Sequence, residues 1–201
     1  VVLRLANSRN AQHITSQACQ MFADLVAERT DGRITIECHF DGELGDERST
    51  IEQCQFGGVD FTRVSSGVSA EFAPLMNALQ MPYEYTDVDH LFRVLDGEIG
   101  QEVFDTFRDN GLVGITYLHP GFRCFFNARK EIRTPADISG MRIRVSESDL
   151  MLNMMECLGA TGVGLPFNST YSAIQTGMVD GAENNMTSYI EMSLWEVAPY
   201  W

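Results

Sequence analysis

The chain has 201 residues, 44% of them apolar and 21% charged, a globular composition that can fill one large or two small cores. Its formal net charge is −14 and its single lysine is Lys130, so it lacks the clustered cations that a phosphate backbone requires, and nucleic acid is excluded as a partner. No run approaches the roughly 18 consecutive apolar residues of a membrane span, and VVLRLANSRN has no signal-peptide regions, as expected if a leader has already been removed.

In chain order, VVLRLAN alternates leucine with polar residues and reads as a strand ending at Asn7 and Ser8. AQHITSQACQMFADLVAERTDG follows as a helix, with Ile14, Ala18, Met21, Phe22, Leu25 and Val26 as its apolar face. Strand RITIECHF, turn DGELGDE, helix RSTIEQCQFG and strand VDFTRVS complete a βαβαβ pattern, which predicts a parallel sheet flanked by helices. FAPLMNALQMPYEYTDVDH reads as loop-rich, LFRVLDGEIGQEVFDTFRDNG as one or two helices, and LVGITYLHPGFRCFFNA as two strands around His119-Pro120-Gly121. After the turn RTPADISG the βαβαβ pattern returns: MRIRVS, ESDLMLNMMECLG, TGVGLP, NSTYSAIQTG and MVDGAENN.

The two halves share Q-x-G-x-V-D, at Gln55–Asp60 and Gln175–Asp180, each time between a short helix and a strand. Gly57 and Gly177 are placed to end their helices in the left-handed conformation. The fold expected is α/β and two-lobed, with lobe I at 1–120 and lobe II at 121–201, the boundary falling near Pro120-Gly121.

Ligands of open α/β sheets bind beyond the carboxyl ends of the strands. That rule selects Asn7 and Ser8, Glu47, Arg63 to Ser65, Arg144 to Glu147, and Glu183 to Asn185. Arg144 shares a strand face with Arg142, opposite Met141, Ile143 and Val145, and precedes Ser146-x-x-Asp149, which is patterned like a capping box. Its guanidinium reads either as a clamp for a ligand carboxylate or as a salt bridge to Glu147 or Asp149. Arg123 reads either as a functional cation or as a snorkelling cover for Phe122 or Phe125. Arg63 reads equally as a satisfied surface residue of its strand, Asn184 as a turn cap, and Phe167 as a core residue. Five dispersed cysteines without CxxC spacing read as buried free thiols, an odd number that fits awkwardly with an oxidising compartment. No P-loop, G-x-G-x-x-G, G-x-S-x-G or H-E-x-x-H occurs, and the four histidines show no metal spacing, which favours binding over catalysis.

SGMRIRVSES, LGATGVGLPFNSTYSAIQTGMVDGAENN and LWEVAPYW resemble the extracytoplasmic solute-binding subunits of TRAP transporters, the DctP-like family. ERTDGRITIE, GELGDERSTIEQCQFGGVDFTRVS, MPYEYTDVDHLFRVLDGEIG and RTPADISG extend the resemblance along the whole chain. DFTRVS, and DGAENN with the SY that follows, are most similar to members that bind sugar acids such as glucuronate, related hexuronates or aldonates. The resemblance implies a periplasmic, non-enzymatic binding protein without cofactor or metal, which closes around an organic acid and delivers it to the membrane permease subunits. It implies Arg144 as the carboxylate clamp, Arg123 as a second arginine, Asn184 as the asparagine after VDG, Glu47 and Arg63 as partners of ligand hydroxyls or carboxylate, and Phe167 as a residue packed near the ligand. The chain departs from the family at Ser169-Thr170-Tyr171, where Glu-Val-Tyr is usual, and at ATGVGLP, where a further proline is usual. It also ends at Trp201, short of the family's length, so the part completing both lobes is expected to be missing. The alternatives are a sensory domain of the same fold, a binder of C4-dicarboxylates or 2-oxo acids, and an enzyme acting on sugar acids.

Overall fold

The alternating leucines near the N-terminus form β1 (Val2–Asn7) of a computed structural model that describes residues 1–201. Helix α1 (Ile14–Arg29), β2 (Thr35–His39), α2 (Glu47–Gln55) and β3 (Phe61–Arg63) follow. β1 lies between β2 and β3 and is parallel to both, as the βαβαβ pattern requires.

The buried face of α1 is shifted from the expected one and overlaps it at Phe22 and Val26. Thr15, Ser16, Cys19 and Ala23 face the sheet, whereas Ile14 and Met21 are 57% and 65% exposed. Small residues let the helix approach closely, and their hydroxyls are satisfied locally: Asn7 Nδ2 donates to Ser16 Oγ at 3.0 Å, and Thr15 Oγ1 meets His13 Nδ1 at 2.8 Å. Of the expected face, Phe22 and Val26 do pack against the core on this side, while Ile14, Met21 and Leu25 are exposed, so counting only large apolar residues placed the buried side of α1 partly off.

Helix α3 (Ser66–Ser69), a 3₁₀ segment (Pro74–Gln80), α4 (Val88–Leu95) and α5 (Glu98–Thr106) follow, and the 3₁₀ segment and α5 share a satellite core around Met76, Val103 and Phe107. Of the two strands expected around His119, only β4 (Arg123–Asn127) forms. Residues 113–122 have no neighbouring strand to complete a ladder, and they are held by side chains instead. Tyr117 stacks on Phe104 at 4.1 Å and donates to the Gly100 carbonyl.

The second sheet comprises β4, β5 (Arg142–Val145), β6 (Thr161–Gly164) and β7 (Gly181–Asn185), in the order β4-β7-β5-β6 with β4 antiparallel. Helix α6 (Pro135–Ile138) leads into β5, α7 (Asp149–Cys157) and α8 (Thr170–Gln175) flank β6, and α9 (Met186–Glu191) follows β7. Ile143 and Val145 are wholly buried with Met141, Met151 and Met155. The Ser146–Asp149 capping box does not form, because α7 starts later and its N-cap is Ser148; a capping box forms instead at Thr134 and Asp137.

The sequence echo corresponds to one brace built twice. Asp60 Oδ2 accepts from the Arg4 backbone N–H at 2.8 Å, the Asp60 N–H donates to the Arg4 carbonyl, and the Arg4 guanidinium donates to the Gly58 carbonyl. In the second sheet Asp180 Oδ2 accepts from the Arg142 N–H at 2.8 Å, the Asp180 N–H donates to the Arg142 carbonyl, and the Arg142 guanidinium donates to the Gly177 carbonyl. Gly57 and Gly177 carry φ of 72° and 71°, so each helix ends in the left-handed turn that lets the aspartate fold back. Arg142 is thus a structural residue. The cysteines are all free, but only Cys19 is buried: Cys38 and Cys54 are half-buried, and Cys124, on the edge strand β4, and Cys157, at the end of α7, are exposed. No helix is long and apolar enough to cross a membrane.

Candidate ligand-binding site

The carboxyl ends of both sheets converge on a cavity of about 110 Å³ whose wall includes Ser8, Glu47, Val68, Arg144, Glu147 and Phe167. Several contacts join the two halves around it. The Asn10 N–H donates to Glu191 Oε1 at 2.7 Å, Asn168 Nδ2 donates to the Asp41 carbonyl at 3.4 Å, and the Arg9 guanidinium carbon lies 3.1 Å from the centre of the Phe167 ring. Gly67 abuts the opposite half so closely that a Cβ there would lie 2.6 Å from Ser146 Oγ.

Arg144 is 3% exposed, and no carboxylate lies within 4 Å of it, so neither salt bridge considered from the sequence forms. Nε and Nη2 both donate to the Leu165 carbonyl, the former at 2.9 Å. Burial lowers its pKa to about 10, partly opposed by Glu183. The guanidinium stays charged at neutral pH, with the edge away from Leu165 left for an anion.

Glu47 and Arg63 come together in the opposite wall. Glu47 accepts from Arg63 Nη1 at 3.2 Å, from Ser8 Oγ at 3.2 Å and from Ser65 Oγ. Burial works against the Glu47 charge, but Arg9, Arg63 and the Ser65 hydroxyl overcome it and hold the carboxyl below its usual range. Glu47 at the first turn of α2 also benefits from the positive end of the helix.

Arg123 and Asn184 form a neighbouring group centred on Glu183. Arg123 grips both Glu183 carboxylate oxygens and the Glu183 carbonyl, and its Nη1 donates to Asn184 Oδ1 at 3.3 Å. Asn184 Oδ1 also accepts from the Asn185 N–H, and Asn184 is 3% exposed. Of the six residues expected from the sequence, Arg144, Glu47 and Phe167 line the cavity. Arg63 joins them through Glu47, while Arg123 and Asn184 are not in the lining: Arg123 binds Glu183 and donates to Asn184.

Sequence reasoning missed Arg9. It is 4% exposed, and no protein group accepts from its Nε or Nη1. The signal was its place beyond the carboxyl end of β1, one residue after the Asn7-Ser8 pair that the strand-end rule had selected.

Facing strand ends, a small cavity shared by two sheets and a buried cation free of carboxylate partners define an α/β chain with two small sheets around one cavity. The chain belongs to the family "Bacterial extracellular solute-binding protein, family 7" (DctP), whose profile matches residues 5–201. It is 33% identical to the C4-dicarboxylate-binding protein DctB of Bacillus subtilis, over 91% of this chain and 52% of that protein. It superposes with a TM-score of 0.94 on a TRAP periplasmic solute-binding protein from Xanthobacter autotrophicus Py2 with bound β-D-galacturonate, at 35% identity, covering 98% of this chain and 65% of that one. The sugar acid binding protein DctPAm of Advenella mimigardefordensis, in complex with galactonate, gives a TM-score of 0.96 at 29% identity, covering 100% of this chain and 64% of that one. The chain spans about half the length of the curated relatives it matches.

Proposed function

We propose that this chain is the ligand-capturing part of a TRAP transporter's extracytoplasmic solute-binding subunit, which takes up a sugar acid, a hexuronate, and hands it unchanged to the membrane permease. Arg144 is the observation that carries the reading. A cation 3% exposed, with no carboxylate partner and a place in the wall of a shared cavity, is matched by an anionic ligand. The ligands bound by the Xanthobacter and Advenella proteins support a sugar acid. In this reading residues 1–120 and 121–201 are the two lobes, Glu47 and Arg63 bond ligand hydroxyls, Phe167 packs against the sugar, Arg123 and Asn184 hold the floor through Glu183, and the protein works in the periplasm.

The test is a thermal-shift screen of the full-length protein, because a ligand that binds only the folded state raises its melting temperature. D-galacturonate and D-glucuronate are expected to give larger shifts than succinate or sialic acid. A larger shift with succinate would assign the protein to the C4-dicarboxylate binders, the ligand class in the name of the Bacillus relative.

A further inference from the structure

We propose that Arg9 is a second ligand-anchoring guanidinium, which donates to oxygens at the end of the acid remote from the carboxylate held by Arg144. The proposal rests on the sugar-acid reading and adds a specificity-determining residue to it.

Arg9 has the features of a binding group rather than a brace. The other two arginines of the cleft are committed within the protein, Arg63 to Glu47 and Arg123 to Glu183. Arg9 has no carboxylate within 4 Å, and its Nε and Nη1 are buried without an acceptor. Orphaned buried donors on a charged group are costly, so such an arrangement persists where a ligand supplies the missing acceptors. The Phe167 ring, itself in the cavity wall, lies with its centre 3.1 Å from the Arg9 guanidinium carbon, a cation–π contact that helps hold the side chain in place.

Position gives the selectivity. Arg144 is tied to the carbonyl of Leu165 and Arg9 is packed on Phe167, so the two cations, one from each half of the chain, both contact the Leu165-Pro166-Phe167 segment. A ligand that satisfies both needs oxygen acceptors at two ends, which a polyhydroxy acid has and a simple alkyl carboxylate lacks.

The experiment compares Arg9→Met, which keeps the length and removes the donors, with Arg9→Lys in the full-length protein. Calorimetric titration with D-galacturonate is expected to show at least about a tenfold loss of affinity for Arg9→Met and a smaller loss for Arg9→Lys. The melting temperature of ligand-free Arg9→Lys, which keeps the positive charge that helps hold Glu47 ionised, is expected to hold. Affinity within twofold of wild type would overturn the proposal, and so would a fall in the ligand-free melting temperature of both variants, which would mark Arg9 as a structural cation. If wild type does not bind galacturonate, the hexuronate reading fails instead. The same variants are then titrated with D-galactonate or succinate, whichever the thermal screen selects, under the same criteria.

Discussion

Arg144 donates twice to the carbonyl oxygen of Leu165, through Nε and Nη2, and by this fixes which edge of its guanidinium faces the cavity. The side-on edge is occupied, so under the proposed function the terminal edge is the one open to a ligand carboxylate. Each charge-assisted bond there contributes about 1.5–3 kcal/mol. Arg144→Ala is expected to lower acid affinity by at least about a hundredfold in calorimetry while the circular dichroism spectrum stays native. Arg144→Lys is expected to be nearly as weak, because a single ammonium cannot bond Leu165 and grip a carboxylate with two parallel bonds.

Gly67 sits where the halves touch, 2.6 Å separating a would-be Cβ from Ser146 Oγ. Gly67→Ala suits the helical backbone of α3 and restricts the unfolded chain, so stability is expected to hold or rise slightly. The added methyl props the cleft apart. Affinity for the acid is expected to fall about tenfold, roughly 1.4 kcal/mol, with a larger radius of gyration for the ligand-bound state in X-ray scattering.

The duplicated aspartate braces are expected to contribute unequally. Asp180 is 5% exposed and accepts from Arg142 and from Arg129, whereas Asp60 is exposed. Asp180→Asn is expected to cost about 1.5–3 kcal/mol in urea unfolding and Asp60→Asn less than about 1 kcal/mol, since bonds to a charged buried acceptor are worth more than exposed ones.

His13 gives the fold an acid sensitivity with a defined sign. Burial, and then Arg9 and Arg63, lower its pKa to about 4 from 6.5. Between these values the unfolded chain takes up a proton that the folded protein refuses. Stability is therefore greatest above pH 6.5 and falls as the pH drops toward 4, by up to about 3 kcal/mol from this group. Glu191, whose Oε2 lies 3.7 Å from His13 Nε2, has its carboxyl pushed up by burial, and its proton uptake in the folded state offsets part of the loss at the acid end. Urea midpoints are expected to decline from pH 7 to pH 5, and His13→Asn, which keeps an N-cap acceptor for α1, to flatten that decline.

The order of strands and helices, the two βαβαβ units and the glycine helix ends were legible in the sequence, because periodicity and turn chemistry act over a few residues. The Q-x-G-x-V-D echo was visible too, although its meaning as an Asp–Arg brace appeared only when Arg4 and Arg142 were seen across the sheets. The strand-end rule also picked out Arg144, Glu47 and Arg63, which the structure brings to one neighbourhood.

Partnership was decided by tertiary structure alone. Arg123 meets Glu183 sixty residues away and Arg63 meets Glu47, while Arg144 and Arg9, identical in chemistry, are left without a carboxylate. Charge pairing depends on distances through space and on burial, neither of which is written in local spacing. For the same reason α1 could be recognised as a helix from its sequence, yet the side it buries was set by the sheet it packs against.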